Sequence, residues 1–108
     1  MAWNVIFTKA AKEDLKILDP SQTSPVLKAI HKVSTNPLPI TEGGYGKPLG
    51  KRGASNLTGY LKIKFVKLGV RVIYKIERDK RVMRIVIISV RSDDKVYRQL
   101  QERINKEK

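Results

Sequence analysis

Cysteine is absent from the chain and histidine occurs once, and each shortage excludes a kind of site. Without cysteine there is no disulfide framework and no thiolate metal site. His31 has no second histidine beside it, and no cluster of carboxylates stands at ligand spacing, so we expect no metal and no cofactor. We interpret His31 as a structural or surface residue at the edge of a helix.

Long hydrophobic runs are missing as well. No stretch is long or uninterrupted enough to cross a membrane. Residues 1–7 lack the basic start and the long apolar run of a signal peptide, and charged residues follow at once. The absence of cysteine is compatible with a reducing cytosol. We therefore expect a cytoplasmic protein without a membrane partner.

Acidic residues are few compared with basic ones. The chain has 23 Lys and Arg against 10 Asp and Glu, a net charge of +13 over 108 residues. This length suits one domain with one modest core, so we predict a single domain over residues 1–108. Such an excess of positive charge predicts a polyanionic partner, with nucleic acid as the leading candidate and an acidic protein as the alternative.

The first third of the sequence predicts one strand and a helical hairpin. Residues 3–7 are β-prone, and Thr8 stands where a helix N-cap belongs. Apolar residues recur at helical spacing from there to Pro20, which ends that helix. A second helix is predicted to begin between residues 21 and 25 and to end before Pro37.

The segment from residue 37 to residue 59 is rich in Gly and Pro and predicts a long loop. Its glycines do not form a nucleotide-triphosphate motif, because Gly46-Lys47 and Gly50-Lys51 are followed by Pro and Arg instead of Ser or Thr. A flexible basic loop that touches nucleic acid and a plain linker are both compatible with this composition.

The second half predicts three strands and a final helix. Residues 61–66 and 70–77 alternate between apolar and other side chains, whereas 82–90 is nearly all apolar, as in a strand covered on both faces. Asp93 and Asp94 suit the positive end of a helix, which continues with an apolar stripe. The order predicts an α+β fold: an N-terminal strand, a helical hairpin, a small, largely antiparallel sheet and a C-terminal helix.

Cations occupy selected positions in this half. Lys62 and Lys64 project from the same side of a strand, with Cα atoms roughly 7 Å apart, and Arg71 follows on the hairpin partner. Arg91 stands at the end of the buried strand and Tyr97 near the start of the last helix. One groove can gather all five; ordinary surface charge on strands is the alternative.

These residues also carry a resemblance. Residues 61–65 (LKIKF), 69–74 (GVRVIY), 88–91 (ISVR) and 96–97 (VY) are similar, in this order and spacing, to the RelE toxins of bacterial and archaeal toxin–antitoxin pairs. The likeness extends over nearly the whole chain. It implies a ribosome-dependent endoribonuclease that cuts messenger RNA without a metal, and a cognate acidic antitoxin. The positions that the resemblance implies to be catalytic are Lys62, Lys64, Arg71, Arg91 and Tyr97.

Cleavage of RNA by its own 2′-hydroxyl needs proton removal, charge stabilisation on the phosphorane and help for the leaving 5′-oxygen. The four cations can stabilise the charge. The resemblance makes Tyr97 the general base, although a phenol is almost entirely protonated at neutral pH unless cations surround it. Lys62 or Lys64 is the alternative base, and we expect Arg91 to act as a charge clamp because a guanidinium is a poor acid.

Further basic residues are candidates for binding RNA outside the reacting centre. They are Lys47, Lys51, Arg52, Lys67 and Lys75. The alternative functions are those of a non-catalytic RNA-binding module and of a poison of DNA gyrase. The resemblance raises the latter because the related ParE toxins share the fold, but those toxins lack the nuclease residues.

Overall fold

The computed structural model describes residues 2–52 and 55–107, without the side chains of residues 51, 52, 55 and 107. Short 3-10 turns occur at Ile40–Glu42 and Val66–Leu68. No helix in the described part of the chain is long and apolar enough to cross a membrane. The strands and helices are β1 (Asn4–Phe7), α1 (Lys9–Ile17), α2 (Pro20–Val33), β2 (Lys47–Arg52), β3 (Ser55–Phe65), β4 (Val70–Glu77), β5 (Val82–Ser89) and α3 (Asp93–Glu107).

The strands of the described residues form one five-stranded sheet in the order β1-β5-β4-β3-β2. The β1 strand pairs with β5 in parallel, and all other neighbours are antiparallel. The parallel pair is possible because α1, α2 and the later strands intervene between β1 and β5 in sequence. The predicted α+β fold with a largely antiparallel sheet is confirmed.

Side-chain caps start the two helices of the hairpin. Thr8 Oγ1 accepts a hydrogen bond from the Ala11 amide at 3.1 Å, as its position predicted. Asp19 caps α2 by accepting from the Ser21 amide at 3.0 Å, and Pro20 occupies the first turn, where its missing N–H is not needed. The observed start of α2 at Pro20 lies one residue before the predicted range of residues 21–25.

The prediction of a loop over residues 37–59 was wrong. This segment contains all of β2 and the first residues of β3. Pro48 and Gly50 made a strand look improbable, but β2 is the outer strand of the sheet, where a residue without an N–H is tolerated. The pairing with β3 shifts register between these two residues, and Gly50 has a φ of 62°.

The sheet has helices on both faces and therefore two apolar cores. The α1–α2 hairpin covers one face, and α3 covers the other through Val96 and Leu100. The register between β4 and β5 shifts beside Ile73, so the adjacent residues Val86 and Ile87 both join the core under α3. Both faces of β5 are therefore buried, as its nearly continuous apolar sequence predicted.

An ion pair closes the edge of β5 beyond the end of β1. The β1 strand pairs with β5 only as far as Ile85. Past that point, Asp14 of α1 accepts the Ile88 amide at 3.0 Å, and Arg103 of α3 donates to the Val86 carbonyl at 2.6 Å. The two side chains also bind each other through two hydrogen bonds of 2.8 Å. This pair satisfies strand groups that would otherwise lack partners and ties α3 to α1.

A buried tyrosine fixes the segment that leads into β2. Burial raises the pKa of the Tyr74 phenol, so it stays protonated and donates to the Pro37 carbonyl at 2.8 Å. Gly46 packs against the same hydroxyl, and a Cβ added there would collide with it. The glycine is therefore required for space at this position.

We expect the Gly46→Ala substitution to lower the free energy of unfolding by about 1–3 kcal/mol through overpacking. Tyr74→Phe should cost about 1 kcal/mol by removing one hydrogen bond. Because the added methyl meets the hydroxyl, the double variant should lose less than the sum of the two single losses. Urea denaturation of the four proteins measures this coupling; strictly additive losses would contradict the contact.

Candidate functional site

The register of β3 and β4 brings the predicted strand cations together. Lys64 lies directly opposite Arg71, and Lys62 lies two residues earlier on the same side of β3. These side chains project toward α3, away from the hairpin. The prediction that Arg71 lies beside the two lysines across the ladder is confirmed.

Lys62 and Lys64 project from the same side of β3, but they differ in burial. The side chain of Lys62 is 7% exposed, whereas that of Lys64 is 44% exposed, because the start of α3 covers the sheet at Lys62. Lys62 Nζ donates to Tyr97 Oη at 2.7 Å and lies 5.4 Å from the centre of that ring. The tyrosine and the lysine implied to be catalytic therefore share a hydrogen bond.

Asp93 joins the cations, a role that no pattern in the sequence indicated. Its carboxylate accepts from Arg71 Nε at 2.6 Å and from Lys62 Nζ at 3.3 Å, and lies 3.6 Å from Lys64 Nζ. As a pure helix-capping residue, which was its interpretation from the sequence, Asp93 would face only the first turn of α3. The helix places it instead above Lys62, Lys64 and Arg71. We call these three cations and Asp93 the cation cluster.

The cations determine the charge state of this carboxyl. Burial disfavours ionisation of Asp93, but hydrogen bonds and charge from Lys62, and then from Arg71, outweigh it and hold the pKa of Asp93 below its usual value. The carboxylate is therefore ionised at neutral pH, and it offsets one of the three positive charges of the cation cluster.

Arg91 reaches the cation cluster through its backbone. Its carbonyl accepts from Arg71 Nη1 at 2.7 Å, and its amide donates to Ser89 Oγ at 3.0 Å. The side chain is exposed and, among the described residues, makes no hydrogen bond or ion pair. Arg91 thus stands beside the cluster with its charge facing solvent.

A groove opens on the outer side of the same lysines. Pairing between β2 and β3 ends at Lys47 and Lys62, so β3 has no strand neighbour on that side beyond this point in the described residues. The groove has a volume of about 580 Å³ and an apolar floor that includes Phe65. Lys32 and Tyr45 line it too. Lys32 was not among the residues that the sequence predicted to bind RNA. Only the packing of α2 against the sheet edge brings Lys32 there.

The remaining candidates for RNA binding are spread more widely. Lys67 is exposed on the turn after β3. Lys75 lies 5.6 Å from the Tyr60 ring, in a separate cavity with Arg103 toward the other end of α3, and does not join the cluster. Lys51 and Arg52 belong to β2, but their side chains lie outside the described residues.

No protein-family model matches the chain, and no curated protein gives a significant match. Solved structures do match it. A chain of the RelBE2 toxin–antitoxin complex from Mycobacterium tuberculosis is 26% identical, with a TM-score of 0.69 over 84% of this chain and 100% of that one. The isolated RelE toxin of E. coli is 20% identical, with a TM-score of 0.66 over 95% and 99% of the two chains.

The fold is that of the RelE toxins. The match extends to an archaeal RelE–RelB complex from Pyrococcus horikoshii, which is 20% identical, with a TM-score of 0.52 over 82% of this chain and 94% of that one. The likeness of the sequence to the RelE toxins is thereby confirmed at the level of the fold.

The ionised Asp93 should make the stability of the protein depend on pH. An unfolded aspartate titrates near pH ~3.9, and the folded value is lower, so Asp93 stabilises the fold above that pH and the contribution is lost as the pH falls through the folded value. We expect Asp93→Asn to lower the free energy of unfolding by about 1–2 kcal/mol at pH 7, a figure reduced for partial exposure. The difference from the parent chain should shrink below about pH 4.

Denaturant unfolding at several pH values measures this difference. Asp94→Asn is the matched control. Asp94 lies in the first turn of α3, as Asp93 does, but it is exposed and has no partner in the cation cluster. A loss for Asp93→Asn that stayed constant down to pH 2 would show that the ion pairs are not its cause.

Proposed function

We propose that this chain is the toxin of a toxin–antitoxin pair and that it cleaves messenger RNA in the decoding site of the ribosome without a metal. The observation that carries the proposal is the hydrogen bond of 2.7 Å between Lys62 Nζ and Tyr97 Oη, within the cation cluster. A phenol oxygen and three cations within a few ångströms are the groups that phosphodiester cleavage needs. A protein that only bound RNA would not require a buried lysine aimed at a phenol.

In the proposed reaction the 2′-oxygen of the RNA attacks the neighbouring phosphorus, and the bond from phosphorus to the 5′-oxygen breaks. The proton of the 2′-hydroxyl goes to the base, which is Tyr97 as a phenolate or Lys62 as a neutral amine; the two side chains share one hydrogen bond at the reacting centre. The leaving 5′-oxygen takes a proton from water or from a neighbouring cation. The products are a 2′,3′-cyclic phosphate and a 5′-hydroxyl, so no water is consumed.

The cations have separate roles in this proposal. Lys64 and Arg71, which are cross-strand neighbours, stabilise the charge that develops on the phosphorane. Arg91 clamps the phosphate from the solvent side, where its exposed guanidinium stands. The message would continue along the groove lined by Lys32 and Lys47.

An antitoxin and the ribosome are the partners that we propose. Structures similar to this chain include complexes of RelE with RelB, which supports an antitoxin as partner. With a net charge of +13, the chain would favour an acidic antitoxin and ribosomal RNA. These partners would place its action in the cytoplasm.

We expect Tyr97→Phe to reduce cleavage by at least 100-fold, since proton transfer by a positioned group contributes about 10²–10⁴-fold. The measurement is primer extension on a defined message in a reconstituted translation system. The parent chain should produce a break in the codon at the decoding site that is absent when ribosomes are left out.

Tyr60→Phe is the matched control, because Tyr60 packs against the same face of the sheet but lies beside Lys75, in a different cavity. It should cleave like the parent chain. An intact message at protein excess would exclude the nuclease and leave gyrase inhibition or simple RNA binding. Full cleavage by Tyr97→Phe would move the role of base to Lys62.

A further inference from the structure

We propose that Asp93 occupies the place of the RNA phosphate in the cation cluster, so that a phosphodiester must exchange with this carboxylate to bind there. The inference rests on the proposed function only in that the site takes RNA. It concerns a residue that the sequence predicted only to suit the start of a helix.

The donors of Arg71 are largely taken in this structure. Its Nε donates to Asp93 Oδ1 at 2.6 Å, and its Nη1 donates to the Arg91 carbonyl at 2.7 Å. A guanidinium binds phosphate best with two parallel N–H groups on one edge. Asp93 engages the edge formed by Nε and Nη2, so a two-pronged grip on phosphate at that edge requires this bond to break.

Lys62 is occupied in the same way. Its ammonium is divided between Tyr97 Oη and Asp93 Oδ2, and its side chain is 7% exposed. A phosphate oxygen that bound this ammonium in place of Asp93 Oδ2 would require the carboxylate to move away. Two anions cannot share these donors without strong repulsion, so the phosphate and the carboxylate compete for one position.

The exchange has an available path. Asp93 is 33% exposed, and Lys64, at 44%, holds it only by an ion pair of 3.6 Å. Because Asp93 is the first residue of α3, its side chain can turn to solvent without breaking the contacts of Val96 and Leu100 with the sheet. The short bond to Arg71 is the main contact that the phosphate must replace.

A carboxylate in this position would keep three like charges together while no RNA is bound. It would also weaken the binding of free phosphate and of random RNA, since each has to displace it. Only a phosphodiester that is held by further contacts, as in a long substrate, would overcome this competition.

The test measures binding of a short single-stranded RNA made non-cleavable by 2′-O-methyl groups. Its affinity for the full chain, for Asp93→Asn and for Asp94→Asn is determined by fluorescence anisotropy over a range of salt concentrations. Asp94→Asn makes the same charge change one residue away, outside the cluster, and so measures the general electrostatic effect.

We expect Asp93→Asn to bind the RNA at least fivefold more tightly than Asp94→Asn. Its slope of log affinity against log salt should be steeper by about 0.7 for each additional phosphate contact. If Asp93→Asn proves too unstable, Asp93→Ser should give the same order. In the parent chain, the carboxyl ¹³C resonance of Asp93 should move when RNA is added.

Equal affinities of the two Asn variants, weaker binding by Asp93→Asn, or no binding of RNA at all would overturn the inference. Weaker binding would mean that Asp93 arranges the cations for RNA instead of competing with it. The outcome is separate from that of the cleavage assay. A chain that gains affinity through Asp93→Asn but never cuts a message would uphold the exchange and contradict the nuclease.

Discussion

A lysine ammonium withdrawn from water has to be matched by polar groups, and Lys62 is such a lysine. Its partners, Asp93 and Tyr97, both belong to α3, so the requirement of one strand residue determines how the last helix begins. The same requirement draws Arg71 and Lys64 into contact through the shared carboxylate. The cluster that compensates the buried lysine is thus also the candidate site for the chemistry.

The other end of α3 is held by an interaction of a different kind. Arg103 and Asp14 bind each other and also supply partners for β5 where β1 has ended. The helix is therefore fixed near its start by the cation cluster and near its end by the sheet edge, with Val96 and Leu100 packed between them. A helix attached at both ends presents Tyr97 in a defined position above Lys62, as the proposed proton transfer would require.

Several of the few acidic residues of the chain form ion pairs. Asp14 and Asp93 satisfy buried or half-buried cations, and Glu42 binds exposed Arg78 on the segment before β2. Most of the positive charge is left without a carboxylate, as expected of a surface that meets a polyanion. Asp93, within the cation cluster, is the exception. The proposed exchange with a phosphate depends on this carboxylate.

The helices and strands that are marked by local sequence patterns could be predicted from the sequence alone. The Thr8 cap, the alternation in β3 and β4 and the apolar run of β5 specify their structure through backbone periodicity and short-range hydrogen bonds, and the family resemblance of residues 61–97 pointed to the RelE fold. The β2 strand was missed because Pro and Gly are poor strand residues unless the strand lies at an edge, and only the assembled sheet has an edge. Likewise, Asp93 and Lys32 reach their places through contacts between elements far apart in sequence. Lys62 and Lys64 look equivalent in the sequence, but only Lys62 is buried under α3. Tertiary packing alone decided this difference, because alternation along a strand tells which face a side chain takes but not what covers that face.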